Sequence, residues 1–130
     1  MIRCVRLWTD ETLNSVFEER QIDLTALANG DLATTDFAVG LCHFQETQSG
    51  GSWDWNKDTT PRLVITLSGT LEFEVRSGQS FTLRAGDILF AQDSTGSGHK
   101  WRLIDGQPWR RLYVNIAPGV KVPFTPIKSV

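Results

Sequence analysis

From residue 62 to residue 92 the chain repeats one device: a short apolar or alternating segment, then a turn. "RLVITLSG", "TLEFEVRSG", "QSFTLRAGD" and "ILFAQD" follow one another with no gap long enough for a helix. In the second segment Leu71, Phe73 and Val75 alternate with Glu72, Glu74 and Arg76. That period of two is the signature of a strand with one buried face. Ser68-Gly69, Ser77-Gly78 and Gly86 supply the turns. Strands of this length, broken by glycine roughly every 8–12 residues, restrict the chain to a β-sandwich or barrel.

The flanks are read in the same terms. "FAVGLCHF" before this core, and "HKWRLID" and "RRLYVNIA" after it, have strand length and composition. "DETLNSVFEER" is the best helix candidate, though short and weakly periodic. "DLTALANGDLATTD" reads as loop, with a turn at Asn29-Gly30. The tail "PGVKVPFTPIKSV" holds three prolines and suits an edge, not a central strand. At 130 residues the chain fits one domain with a real core. That gives a domain over 1–130, a barrel core over about 37–116, and packing segments at 1–36 and 117–130.

Composition narrows the partners. A formal net charge of -2 argues against a general nucleic-acid or anionic-membrane binder, which would carry a basic surface. No run of apolar residues has the length of a membrane span. "MIRCVRLWTDET" has no apolar stretch of the secretory kind, so a cytoplasmic location is expected. Cys4 and Cys42 form no C-x-x-C pair and are read as reduced thiols, with Cys42 a small core residue.

"RLVITLSGTLEFEV" followed by "RAGDILFAQDSTGSGH" resembles the cupin superfamily, and "DWN" and "SVFEE" align with a group of small single-domain cupins. The resemblance spans most of the chain. It implies an all-β fold with little helix: an antiparallel, jelly-roll-like sandwich closed into a small barrel, with a site inside its mouth. It also implies a homodimer. Gly69 takes the closing glycine of the first cupin motif, Gly86-Asp87 opens the second, and His99 takes the histidine of the second. The departures fall on the metal ligands. Asn56 and Asp58 stand at the two histidine positions of the first motif, Arg62 stands at the glutamate, and Gln92 replaces a proline.

A guanidinium donates hydrogen bonds only and stays protonated, so Arg62 at a ligand position disfavours a cation. No cofactor is favoured. A divalent metal would need His99 and Asp58, with His43 as the remaining imidazole. Arg62 is read either as paired internally with Asp54 or Asp58, or as receiving a substrate carboxylate, enolate or phosphate. His99 is read as a general acid/base or as a hydrogen-bonded core histidine. Trp101 shares the strand face of His99, and Trp55 sits in the polar loop, so both are candidates for an aromatic wall with Asn56 and Asp58. On the last strand either Tyr113 with Asn115 or Leu112 with Val114 faces inward. The leading expectation is a barrel that binds a small anionic or aromatic molecule, with metal-independent, isomerase-like catalysis by His99 and Arg62. The alternatives are a metal-dependent oxygenase or isomerase, and a non-catalytic sensor or structural protein.

Overall fold

The computed structural model describes residues 1–56 and 60–126. In chain order the strands are β1 (Arg3–Thr9), β2 (Ser15–Ile22), β3 (Thr25–Ala26), β4 (Leu32–Ala33), β5 (Val39–Thr47), β6 (Ser52–Asn56) and β7 (Arg62–Ser68). They continue with β8 (Leu71–Val75), β9 (Ser80–Leu83), β10 (Ile88–Gln92), β11 (His99–Leu103), β12 (Trp109–Ile116) and β13 (Phe124–Pro126). A seven-stranded sheet has the order β13-β2-β1-β10-β7-β12-β5, and a four-stranded sheet has the order β6-β11-β8-β9. A two-stranded ribbon, β3-β4, turns at Asn29-Gly30. Every pairing is antiparallel except β1 with β10. The described residues contain no helix.

The sheets face each other across one core. Val5, Leu7, Val64 and Leu89 of the large sheet pack with Leu71, Phe73, Val75 and Leu83 of the small one. The period of two places them: Leu71, Phe73 and Val75 are buried while Glu72 and Glu74 stay at the surface. There the two glutamates pair with Arg102 and Lys100 of β11. β7 is apolar on both faces for a different reason. Val64 enters the core, while Leu63 joins a second cluster with Cys4, Phe90, Ile116 and Val122 under the C-terminal tail.

The segment "DETLNSVFEER" is not helical. It is a turn followed by β2, which pairs with β1 from Arg3↔Gln21 to Thr9↔Ser15. Its charges serve the sheet: Glu19 pairs with Arg3, and Glu18 with Arg20. Cross-strand pairing overrides a weak local preference. Residues 1–36 thus add two full strands to the large sheet.

Cys42 is exposed, against the expectation of a core position. β5 is an edge strand that pairs through β12 only, and its side chains lie open, with Leu41 at 83% and Phe44 at 74% exposure. Cys4 is the buried thiol, and burial pushes it from an ordinary 9.0 up to about 12. An alkylating reagent at mildly alkaline pH is expected to label Cys42 alone in the native protein and both thiols after denaturation. Quantitative labelling read by mass checks this; native labelling of Cys4 would contradict it. The unfolded Cys4 thiol ionises first, so it binds fewer protons than the folded one above pH 9.0. This group therefore withdraws stability as pH rises from about 9.0 toward 12.

Candidate functional site

Between the sheets lies a cavity of about 310 Å³. Its charged and polar lining comes from both sheets: Arg62, Arg111 and Tyr113 from the large one, and Asn56 and His99 from the small one. Phe73, Trp101 and Trp109 form most of the aromatic wall, and Trp53 stands at the lip.

Arg111 is the most consequential of these side chains. It is 2% exposed, yet among the described residues it meets no carboxylate. Nε donates to Tyr113 Oη at 3.1 Å, and Nη1 donates to Thr47 Oγ1 at 2.8 Å and to the Trp109 carbonyl at 3.1 Å. The guanidinium lies 3.7 Å from the centre of the Trp109 ring. Those contacts use three of its five N–H protons and leave the two on Nη2. A buried cation held only by neutral groups is costly unless an anion joins it.

Arg62 enters the same cavity. Its Cζ lies 3.9 Å over the Tyr113 ring, whose hydroxyl accepts from Arg111. The two guanidiniums therefore flank one tyrosine.

His99 closes the other side. It is 4% exposed and donates Nδ1–H to Asp93 Oδ2 at 2.5 Å. Asp93 is fully buried, and its Oδ2 also accepts from Ser15 Oγ at 2.8 Å. Because a carboxylate only accepts, the network places a proton on Nδ1; in the neutral ring Nε2 is then the acceptor. Among the described residues Nε2 has no hydrogen bond.

The loop "STGSG" sets this geometry. Ser97 N donates to the Leu13 carbonyl at 2.9 Å. A Cβ on Gly96 would lie 2.1 Å from the Leu13 oxygen, and one on Gly98 would lie 2.1 Å from the Asn56 oxygen. Both glycines have positive φ, 79° and 74°. Only glycine passes between two backbones at this distance in that conformation.

The remaining candidates divide. Trp101 lines the cavity and meets Trp109 edge-on at 4.7 Å. Tyr113 faces in. Asn56 is at the rim, paired in register with His99. Trp55 is not among the lining residues and stacks instead with Arg76 at 3.7 Å. His43 is exposed on β5, bonded to Gln45 and tilted against Tyr113 at 5.0 Å. Gln92 accepts from Arg6 on the outer face. Asp58 lies outside the described residues.

From β7 to β12 the chain crosses repeatedly between the sheets: β7, β10 and β12 belong to one, and β8, β9 and β11 to the other. The chain winds as a double-stranded β-helix about a lined interior. This is an all-β, jelly-roll-like sandwich.

Solved structures overlap this fold in part. A DUF861-family protein from Thermotoga maritima is 21% identical, covering 58% of this chain and 77% of that one, with a TM-score of 0.47. A protein with a double-stranded β-helix domain from Klebsiella pneumoniae is 20% identical, covering 72% and 84%, at 0.48. The Cupin_2 domain of an XRE-family transcriptional regulator from Enterobacter cloacae is 19% identical, covering 91% and 99%, at 0.34. The fold stands on the strand order and not on these partial overlaps. No protein-family model matches the chain, and no curated protein matches it.

Metal is the cofactor a cupin barrel brings to mind, and the described residues do not fit one. They contain no group of three histidine, cysteine, aspartate or glutamate side chains able to surround an ion. Asp93 already binds His99 through Nδ1, and two guanidiniums share the cavity. A divalent ion needs convergent anionic or neutral donors, which this lining does not offer. Among the described residues no helix is long and apolar enough to cross a membrane.

Sequence reasoning did not single out two buried side chains of this site, Arg111 and Asp93. Arg111 had a visible signal, because the period of two puts it on the face of Trp109 and Tyr113. Asp93 had none beyond its place before a glycine-rich loop.

Proposed function

We propose that the barrel binds a small organic anion and that His99 exchanges a proton with it, without a metal. The observation that carries this reading is Arg111, a buried cation with neutral partners and an uncommitted Nη2 at the cavity. An anion seated there satisfies the charge in a dry setting, where such a bond is strong. Arg62 places a second guanidinium across Tyr113. His99, oriented by Asp93, presents an acceptor to whatever is bound. Were the ligand to ionise at an enol or hydroxyl, the proton would pass to Nε2. The imidazolium would then lie against the buried Asp93 carboxylate, while the guanidiniums stabilise the charge left behind.

Three tryptophans, Trp53, Trp101 and Trp109, line the cavity, so occupancy has an optical readout. Titration with benzoate is expected to quench their fluorescence saturably, and the neutral isostere benzamide is expected to bind at least roughly tenfold more weakly. Equal response to both, or no saturable response to any small carboxylate, would remove the reading.

A further inference from the structure

Resting on the anion-binding reading of this cavity, we propose its ligand class: a small, planar monocarboxylate that carries a hydroxyl or enol hydroxyl at the end remote from its carboxylate.

The carboxylate end is set by Arg111. Two N–H protons remain on one nitrogen, in the plane of a guanidinium whose other donors are occupied. That offers a seat for one carboxylate group. The guanidinium cannot turn to follow a bulkier anion, because Tyr113, Thr47 and the Trp109 carbonyl hold it from three sides.

The body of the ligand is set by rings. From Arg111 the wall runs to Trp109 at 3.7 Å, and then to Phe73, whose ring centre is 6.1 Å from that of Trp109. Phe73 in turn lies 5.8 Å from His99. Trp101 stands edge-on to Trp109 at 4.7 Å. An apolar, aromatic stretch therefore separates the cation from the imidazole. A flat conjugated body covers such a wall and gains ring–ring contact that an aliphatic one does not. The 310 Å³ volume lies near the bottom of the usual range for small-molecule sites, which limits the body to about one ring or an equivalent conjugated chain.

The far end is set by His99. With Nδ1–H given to Asp93, Nε2 accepts. A matching ligand must donate there, and a hydroxyl or enol does so without adding charge. Asp93, itself held by the Ser15 hydroxyl, fixes the Nδ1 side of the ring as the donor.

The test uses the unaltered protein and calorimetric titration with acetate, benzoate, the three isomeric hydroxybenzoates and the three matching fluorobenzoates. Benzoate is expected to bind at least roughly tenfold tighter than acetate, and the best hydroxybenzoate at least roughly tenfold tighter than its fluoro counterpart. In His99→Gln, which keeps a polar side chain beside Asp93, the hydroxyl advantage should fall to near parity. If the ring or the hydroxyl confers no gain, or if the gain survives in His99→Gln, the ligand class is wrong. In those cases carboxylates that still bind, and that lose binding in Arg111→Met, leave the anion-binding reading standing. If no carboxylate binds at all, both fall together.

Discussion

Arg111→Met is expected to abolish carboxylate binding and, in the same protein, to raise the melting temperature. The binding loss follows from removing the charged partner of a buried ion pair, worth about 2–5 kcal/mol, or roughly 30- to several-thousand-fold in affinity. The gain in stability follows from what the arginine costs when the cavity holds no anion. A buried guanidinium gives up several kcal/mol of hydration. Its neutral partners, Tyr113 Oη, Thr47 Oγ1 and the Trp109 carbonyl, return only part of this. Methionine fills a similar volume against Trp109 and carries no charge. Exchanges of buried charge for an apolar side chain run from neutral to about 1–4 kcal/mol stabilising, and each kcal/mol shifts the melting temperature of a domain this size by about 4 °C. Calorimetric melting and titration on the same preparation read both effects. A structural arginine would give the opposite sign: a melting temperature lowered by several degrees, because the side-chain bond from Arg111 to Thr47 of β5 would be lost. That result would show that Arg111 is kept for the fold and not for a ligand.

Gly98→Ala should damage both the fold and the site. The new Cβ would lie 2.1 Å from the Asn56 carbonyl oxygen, well inside any tolerated separation, and the residue has φ of 74°. Neither neighbour yields easily, since Asn56 belongs to β6 and His99 opens β11 in register with it. The backbone conformation alone costs about 1–2 kcal/mol for an alanine, and forced displacement adds about 1–3 kcal/mol. The melting temperature is expected to fall by about 8–20 °C. Gly78→Ala separates the two contributions. Gly78 has φ of 89° but open space where its Cβ would go, so it should show the backbone cost alone. If the two variants melt together, close approach at Gly98 is not what fixes His99.

The β texture was legible because it is local. Leu71, Phe73 and Val75 against Glu72 and Glu74 is a pattern that a strand with one covered face must produce, and the structure buries the first three. The glycines at 69, 78 and 86 all adopt positive φ, as their turns require. Residues 10–20 were misread because their periodicity was weak and the deciding term, pairing of β2 with β1, is not local. Cys42 was misread because strand composition cannot say whether the outer face of an edge strand is covered. His99 was legible from its motif, but the tautomer that gives it a role was not. That depends on Asp93 and Ser15, brought beside it from the end of β10 and from β2.

Sequence alone determined where the strands and turns lie between residues 62 and 92, and which residues of that stretch share a face, since a two-residue period and a glycine's left-handed backbone are properties of short segments. Tertiary structure decided which arginine is sealed beside neutral partners, which nitrogen of His99 remains an acceptor, and how the aromatic rings are spaced between them. Those outcomes depend on what two separate sheets bring to one point, and charge burial and hydrogen-bond satisfaction are settled only there.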